Sequence, residues 1–396
     1  MVVKSLREIV QKPITGEWGS EGDSIKVLRT TNFTNEGRLD YSNVVLRNID
    51  PKKVESKKLN RGDIIIEKSG GSPKQPVGRV VFFDEEGIYL CNNFTAILRP
   101  NPEIVNSKYL LYILFCNHKF GFTSAYQNKT TGIINLQLPK YLEGTKIPLP
   151  PLPEQKKIAA ILDEADSYRQ KTKALLTKYD ELTQSLFLDM FGDPVTNPKG
   201  WLKQKMKQFC EFENGDRSSN YPSGDEIKTE GKLFLSSGDI KNGRFIVKDS
   251  KFISSEKFNS LKRGKCKTGD VLMTLRGNGT GKTAVFNCQY EEGFINAQMV
   301  ILRPDSTCLS EYLVLQLICP PVFKRLINLN SGSAQPQLSA SNVKDFEVFV
   351  PPLTLQNQFA ERVEAIKTQK AQAQAELVKA EELFGSLLQG AFKSKL

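Results

Sequence analysis

Two stretches of the chain place apolar residues alternately three and four positions apart, the pattern of a helix with one buried face. Proline fits only the first turn of a helix, so Pro150-Pro151-Leu152 and Pro351-Pro352-Leu353 mark two sharp starts, and the pattern ends at Phe191 and Phe392. Helices this long exceed an ordinary core helix, so we expect an antiparallel coiled-coil pair. The predicted contact positions are Ile158, Ile161, Tyr168, Leu175, Tyr179, Leu182 and Leu186 in the first helix and Phe359, Val363, Ile366, Leu377, Phe384 and Leu387 in the second.

The second stretch repeats the first at a constant distance of 201 residues, without gaps. Pro150, Gln155, Leu176, Glu181 and Phe191 each meet an identical residue at that distance. Self-similarity at a fixed distance indicates that the chain is a duplication.

The segments before the two helices alternate short apolar runs with Gly, Asn, Asp and Pro, which indicates strands and turns. They also correspond to each other, for example Gly62-Asp63-Ile64-Ile65-Ile66 with Gly269-Asp270-Val271-Leu272-Met273. We therefore predict an α+β fold with two similar mixed α/β domains, separated by two long antiparallel coiled-coil helices in a pseudo-twofold internal repeat. The expected boundaries are 1–149 for the first domain, 150–192 for the central helix, 193–350 for the second domain with 193–200 as linker, and 351–396 for the C-terminal helix.

The composition indicates what kind of molecule the chain binds. Its formal net charge of +11 over 396 residues favours a polyanionic binding partner. No apolar run approaches 18 residues and residues 1–12 lack a signal-peptide core, so we expect a cytoplasmic protein without a membrane partner. Seven scattered cysteines and one histidine give no zinc-site spacing, and we expect reduced, mostly buried thiols.

The segment Gly277–Thr283 looks like a phosphate-binding P-loop. A Walker A motif needs a glycine where this chain has Arg276, and a helix where Thr283-Ala284-Val285-Phe286 indicates a strand. The corresponding loop of the first domain, residues 68–79, has no such motif. An ATP-handling enzyme using this segment is nevertheless kept as an alternative, as is a coiled-coil protein adaptor without DNA binding.

The same loops suit nucleic acid better. Backbone amides and cations contact phosphates, while Asn, Gln and Arg pair with base edges. A plain solvated turn is the competing interpretation for each residue. The predicted DNA-contacting residues are Arg29, Thr31, Asn32, Lys68, Ser69, Ser72, Lys74, Gln75, Arg79, Tyr126, Gln127, Asn128 and Lys129 in the first domain, and Ser236, Ser237, Arg276, Asn278, Thr280, Lys282, Ser333, Gln335 and Gln337 in the second.

No catalytic constellation is found in the sequence. His118 lies in an aromatic stretch without an acid or nucleophile beside it, and Asp63 and Glu67 are explained by a turn before a strand. We predict no catalytic, cofactor-binding or metal-binding residue.

The layout resembles the DNA-specificity subunit of type I restriction-modification systems over the entire chain. The motifs that carry the resemblance are Ile147–Gln155, with its Pro-Pro-Leu-x-x-Gln core, and Phe187–Pro194 leading to Trp201. This resemblance implies two target-recognition domains that bind a bipartite, asymmetric double-stranded DNA site. It also implies a non-catalytic chain that holds two methyltransferase subunits, joined by motor-nuclease restriction subunits. S-adenosylmethionine, ATP and Mg²⁺ would then be bound by those partners, and an orphan relative without the methyltransferase remains an alternative.

Overall fold

The computed structural model describes residues 2–130, 133–241, 243–247, 250–277, 279–329 and 337–392. The chain divides into two compact units. Unit 1 comprises Met1–Lys173 and Ala375–Leu396, and unit 2 comprises Ala174–Gln374. Two helices of 40 residues, α5 (Leu152–Phe191) and α10 (Leu353–Phe392), each contribute to both units. Both predicted helix ends are confirmed.

Unit 1 contains a complete mixed domain. Its strands are β1 Val2–Ser5, β2 Ile14–Thr15, β3 Ser20–Leu28, β4 Val45–Asn48, β5 Ile64–Glu67, β6 Val80–Phe82, β7 Tyr89–Cys91, β8 Thr95–Leu98, β9 Gln127–Thr130, β10 Ile133–Leu136 and β11 Lys146–Leu149. Its shorter helices are α1 Leu6–Ile9, α2 Pro51–Lys57, α3 Ser107–Lys119 and α4 Leu138–Gly144.

Unit 2 contains the second mixed domain. Its strands are β12 Lys203–Lys205, β13 Cys210–Asn214, β14 Lys232–Leu235, β15 Ile240–Lys241, β16 Arg244–Phe245, β17 Lys251–Ile253, β18 Lys265–Lys267, β19 Val271–Thr274, β20 Thr283–Val285, β21 Glu292–Ile295, β22 Met299–Pro304 and β23 Glu347–Phe349. Its shorter helices are α6 Ser255–Ser260, α7 Ser310–Ile318, α8 Pro320–Ile327 and α9 Ala340–Asp345.

The strand order is repeated between the units. The first sheet runs β2-β8-β5-β6 in unit 1 and β13-β22-β19-β20 in unit 2. The second runs β4-β3-β7 and β17-β14-β21-β18, and its one parallel contact is β3 with β7 in unit 1 and β14 with β21 in unit 2. A terminal pair joins β1 to β11 and β12 to β23. The predicted fold class, an internal repeat of mixed domains with a long-helix pair, is confirmed.

Strand β5 shows why these segments are buried on both faces. Successive side chains of a strand point to opposite faces. Ile65 therefore packs against the second sheet, while Ile64 and Ile66 pack towards α3 and the long helices. In unit 2, Leu272 and its neighbours Val271 and Met273 divide in the same way.

The two long helices pack against each other inside each unit. In unit 1, Ala159 and Leu162 of α5 share a core cluster with Phe384 and Leu388 of α10. In unit 2, the Phe359 ring of α10 lies 5.9 Å from the Phe187 ring and 5.1 Å from the Phe191 ring, centroid to centroid. Aromatic pairs at these distances stabilise a contact beyond the area they bury.

The predicted contact stripe needs a correction in α5. All six predicted positions of α10 are buried or partly buried, as are Ile158, Tyr179 and Leu186. Tyr168 is 48% exposed, but its hydroxyl donates to Glu376 of α10 at 2.9 Å, so it does contact the other helix. Ile161, Leu175 and Leu182 face solvent, with exposed fractions of 44%, 40% and 49%, and remain predicted contact positions for another subunit. The physical reason is that the buried face of α5 continues through polar residues, Asp166, Arg169 and Thr172, which an apolar pattern does not reveal.

Candidate nucleic-acid interface

The loop between β5 and β6, residues 68–79, is fastened at its base by a buried ion pair. Arg79 donates from Nε and Nη2 to the Glu67 carboxylate at 2.9 and 3.0 Å, and both residues are less than a tenth exposed. The same guanidinium donates to the carbonyls of Phe33 and Thr30, each at 3.1 Å. Arg79 is thus fully engaged within the protein, and the prediction that it contacts DNA is corrected to a supporting role.

Asn32 is corrected for the same reason. Its side chain is 2% exposed, accepts the Arg29 amide proton at 2.8 Å and donates to the carbonyls of Asp40 and Asn43. It therefore shapes the turn after β3 from inside. Arg29 next to it is partly buried and donates to the Asn43 carbonyl at 3.2 Å, while Thr31 is exposed.

The tip of the 68–79 loop remains available to a ligand. Ser72 and Gln75 close a tight turn by mutual backbone hydrogen bonds of 2.9 and 3.0 Å. Their side chains and that of Lys74 are exposed, whereas Lys68 and Ser69 are partly buried. The turn thus presents one cation and two groups that can donate or accept hydrogen bonds, which suits phosphate and base edges.

The β9-β10 hairpin lies against this loop. The Gln127 amide donates to the Val77 carbonyl at 2.9 Å, and Leu136 N–H donates to the Lys68 carbonyl at 2.8 Å. Tyr126 is partly buried against the edge of Tyr141, while the Asn128 side chain is exposed. Two segments predicted separately are thus brought together. The side chain of Lys129 lies outside the described residues.

In unit 2 the loop between β19 and β20 is a compact hairpin tip. Thr280 donates from its amide and its hydroxyl to the Gly277 carbonyl, at 3.0 and 2.7 Å, and is 8% exposed. Arg276 and Lys282 are exposed on either side of it. Strand β20 follows directly at Thr283, as predicted, whereas a P-loop lysine is followed by a helix. The geometry therefore weakens the ATP-handling alternative.

Two further segments adjoin that hairpin. The backbones of Arg276 and Gln337 form an isolated antiparallel β-bridge, and the Leu338 N–H donates to the Leu275 carbonyl at 2.8 Å. A Cβ atom on Gly279 would lie only 2.8 Å from the Ser237 Cβ, so the turn after β14 also contacts this hairpin. Ser236 is occupied locally, since its amide and hydroxyl both donate to Asp239. Asn278, Ser333 and Gln335 lie outside the described residues.

Some further groups were not predicted from the sequence. Phe94, 46% exposed, lies beside the 68–79 loop, because its carbonyl accepts the Lys68 amide proton at 2.9 Å. The partly buried Arg47 guanidinium stacks 4.0 Å from the centroid of the partly buried Trp18 ring. Arg217 and Arg263 in unit 2 were also missed. Phe94 could have been found from the sequence, because it is an aromatic residue within the polar turn Asn92-Asn93-Phe94-Thr95. Nothing in the sequence around Arg217 or Arg263 distinguishes them from other surface arginines.

Other kinds of site are not found in the part of the chain that the structure describes. No described group of three or more His, Cys, Asp and Glu residues has the arrangement needed to hold a metal ion. No helix among the described residues is both long enough and apolar enough to span a bilayer. All seven cysteines are free thiols and six are buried, which confirms the predicted thiol state. Burial raises the pKa of Cys91 to about 11, so its thiol stays protonated at neutral pH.

One scaffold is thus present twice, each copy with its own polar loops and each preceding a long helix, which defines an internally duplicated α+β protein. A sequence profile described as the type I restriction modification DNA specificity domain matches residues 2–182 and 198–379. The chain belongs to this family.

Individual relatives agree with that assignment. The EcoKI specificity subunit of Escherichia coli K12 is 26% identical over 407 aligned residues, which cover 94% of this chain and 83% of the relative. The MjaVIII specificity subunit of Methanocaldococcus jannaschii is 23% identical over 79% of this chain and 75% of its own length. A crystal structure of the type I system S subunit from M. genitalium superposes with a TM-score of 0.57 at 15% identity, covering 99% of this chain and 96% of that one. At that identity the structural likeness supports the fold alone.

Proposed function

We propose that this specificity subunit reads a bipartite, asymmetric double-stranded DNA site, one half with each unit, and acts in the cytoplasm. The observation that carries the proposal is the contrast between scaffold and loops. The two units share strand order and sheet pairing, yet residues 68–79 and 275–282, which occupy the same place between corresponding strands, differ in length and sequence. Equal scaffolds with unlike exposed loops suit two similar tasks on different targets.

The test is to map methylated bases in a host that carries the chain with its methyltransferase and no other methylation system. We expect a two-part motif separated by unread base pairs. Replacing Lys74 and Gln75 with alanine should alter or relax one half of the motif, and replacing Arg276 and Lys282 with alanine should alter the other. Substituting Lys203→Ala, an exposed lysine on β12 that is outside both loops, is the matched control. A motif that is continuous, or that changes in both halves with either loop variant, contradicts the proposal.

We also propose that the solvent-facing apolar residues of α5 receive the methyltransferase subunits. Ile161, Leu175 and Leu182 are at least two-fifths exposed and separated by multiples of seven residues, which is unusual for side chains with no covering partner. Leu175→Asp with Leu182→Asp should abolish co-purification with the methyltransferase, while Lys178→Asp, at an exposed polar position of the same helix, should not. Retention by the double variant would remove this surface from the interface.

The chain itself performs no chemistry in this proposal. Methyl donor, ATP and Mg²⁺ bind to the methyltransferase and restriction subunits, and the strand that follows Lys282 disfavours a P-loop in this chain. Calorimetric titration of the isolated chain with ATP and Mg²⁺ should give no binding heat. Saturable binding lost in Lys282→Ala would instead favour the nucleotide-handling alternative.

A further inference from the structure

Three arginines of unit 2 come from three loops that the fold fixes side by side. Arg217 follows β13, Arg263 precedes β18, and Arg276 follows β19. The loop of Arg217 is held tightly, because a Cβ on Gly215 would lie 2.3 Å from the Asn296 carbonyl oxygen. A Cβ on Gly264 would lie 3.3 Å from the Asp216 amide nitrogen, so the loop that carries Arg263 touches the loop that carries Arg217.

The Arg217 guanidinium is held in one direction before any ligand arrives. Its Nε and Nη2 donate to a single acceptor, the Ala297 carbonyl, at 3.2 and 3.0 Å. On the third loop, Leu275 N–H donates to the Gln298 carbonyl at 2.7 Å, which places Arg276 beside the same turn. Arginine has five N–H donors, so two hydrogen bonds to one oxygen leave three guanidinium donors for a ligand.

The cluster carries more positive charge than the adjacent Asp216 carboxylate offsets. Partial burial lowers the pKa of Arg217, and the positive charges of Arg276 and Arg263 lower it further, in agreement with the contacts between the three loops. All three arginines are exposed. The neighbouring Asp216 carboxylate accepts the Ser218 amide proton at 2.7 Å, and hydrogen bonds from Ser218 together with the charge of Arg263 lower its pKa, so Asp216 offsets part of the charge of the cluster.

The described residues of unit 1 do not form such a cluster at the corresponding place. Gly16 of unit 1 corresponds to Gly215 of unit 2, because each lies closely against an asparagine carbonyl, that of Asn92 or Asn296. Two residues after the glycine, unit 1 has Trp18 and unit 2 has Arg217. Trp18 is covered by the guanidinium of Arg47 at 4.0 Å, and Ser69 stands where unit 2 has Arg276. The position therefore differs in charge between two otherwise matching scaffolds.

We propose that Arg217, Arg263 and Arg276 form a phosphate-binding cluster that grips the DNA backbone beside the half-site read by unit 2. The cluster rests on the proposed function, and it adds that the two half-sites are held by different physical means. Phosphate contacts carry no sequence information but fix the position of the duplex and make binding salt-dependent. The cluster therefore adds salt-dependent contacts in unit 2 beyond those of the hairpin loops.

The test measures affinity of the full chain with its methyltransferase for two duplexes, one with the mapped site and one of scrambled sequence, between about 50 and 200 mM salt. Arg217→Gln and Arg263→Gln should each lower the slope of log K against log salt by about 1, and the double variant by about 2, equally for both duplexes. The specificity ratio should stay unchanged. Lys203→Gln, on β12 and outside the three loops, removes one charge from the same unit and should leave the slope unchanged.

Two outcomes separate the cluster from the proposed function. If the wild-type complex binds the mapped site but the double variant keeps the wild-type slope, the cluster is rejected and the proposed function stands. If the wild-type complex binds neither duplex, the proposed function fails with it. Arg217→Lys adds a readout of orientation: it keeps the charge but not the two hydrogen bonds to Ala297, so the slope should be preserved while affinity falls on both duplexes. An unchanged thermal unfolding midpoint checks that each variant is folded.

Discussion

Gln155 and Gln356, 201 residues apart, make the same three hydrogen bonds in their respective units. Gln155 accepts the Asn106 amide proton at 2.9 Å and donates to the carbonyls of Ile104 and Pro150 at 3.2 and 2.9 Å. Gln356 accepts from Leu309 at 2.8 Å and donates to Thr307 and Pro351 at 2.9 and 2.8 Å. Each glutamine is at most 1% exposed and ties the first turn of a long helix to the loop that precedes α3 or α7.

Removing either glutamine should loosen its own unit only. Gln155→Ala leaves a buried amide and two carbonyls without partners, which costs about 1–3 kcal/mol for each unsatisfied group that stays dry. We expect faster hydrogen exchange in the peptides around Asn106 and Leu152, with unit 2 unchanged, and the reverse for Gln356→Ala. Gln155→Glu should resemble Gln155→Ala, because an ionised carboxylate cannot donate to the two carbonyls. Gln184→Ala, at an exposed position of α5, is the control; equal loosening of both units by one variant contradicts the scheme.

The ion pairs between the mixed domain and the long helices are more buried in unit 1 than in unit 2. In unit 1, Arg38 donates to Asp166 of α5, a carboxylate that also pairs with the buried Arg169, and Lys173 pairs with Glu36. The residue 201 positions after Asp166 is Lys367, so this arrangement is not repeated. In unit 2, Arg244 instead reaches Asp180 at 3.6 Å, with both side chains at least half exposed.

Asp166→Ala should therefore destabilise far more than Asp180→Ala. The first leaves the buried Arg169 without its closest acid, a loss of about 3–5 kcal/mol for breaking a buried pair. The second removes the pairs of an exposed carboxylate with Arg244 and Lys370, worth about 0–1 kcal/mol. Urea unfolding followed separately in each unit by hydrogen exchange measures the difference. Similar losses for the two variants would show that Asp166 is not the main fastening of unit 1.

Sequence pattern was sufficient for features that depend on local chemistry. Both helix ends, the strand starting at Ile64 and its counterpart at Val271 follow from proline, glycine and apolar runs. Partners far apart in sequence were not accessible in this way. Arg79 is indistinguishable from a ligand-facing arginine until the fold shows Glu67 buried beside it, and the apolar stripe of α5 hid a buried face that runs through Asp166 and Arg169. Arg217, Arg263 and Arg276 become a cluster only when three loops meet.

The correction of Arg79 can be tested against Lys74 in the same loop. Arg79→Ala leaves the Glu67 carboxylate, 3% exposed, without its partner, so we expect a loss of about 3–5 kcal/mol in unfolding free energy. Lys74→Ala changes an exposed side chain, so stability should stay within about 0.5 kcal/mol while DNA affinity falls. Denaturant unfolding and duplex binding are measured on both variants. An Arg79 variant of normal stability with reduced affinity would return that residue to the DNA surface.

His118 gives the chain a pH dependence that can be assigned to a single residue, since it is the only histidine. Burial lowers its pKa, and nearby Arg79 adds to this, while the Pro76 carbonyl, 3.2 Å from Nε2, and Glu67 oppose it. A folded-state pKa below the ordinary value of about 6.5 means that the unfolded chain binds the proton more readily. The stability contribution of neutral His118 is thus complete above about pH 6.5 and is lost as the pH falls from there through the folded-state pKa.

A single imidazole C2–H resonance should report that folded-state pKa directly in a proton NMR titration. His118→Gln can still donate to Pro76 but does not titrate, so its unfolding free energy should lose the decline below pH 6.5 that the wild type shows. Aspartate and glutamate side chains have ordinary pKa values of about 4. For Glu36, burial raises the pKa, but hydrogen bonds from Lys173 and Gln170 more than offset this. The window between pH 5.5 and 6.5 therefore isolates the histidine. A measured His118 pKa at or above 6.5 would mean that the ring is hydrated, and that Pro76 and the 68–79 loop are not held by it.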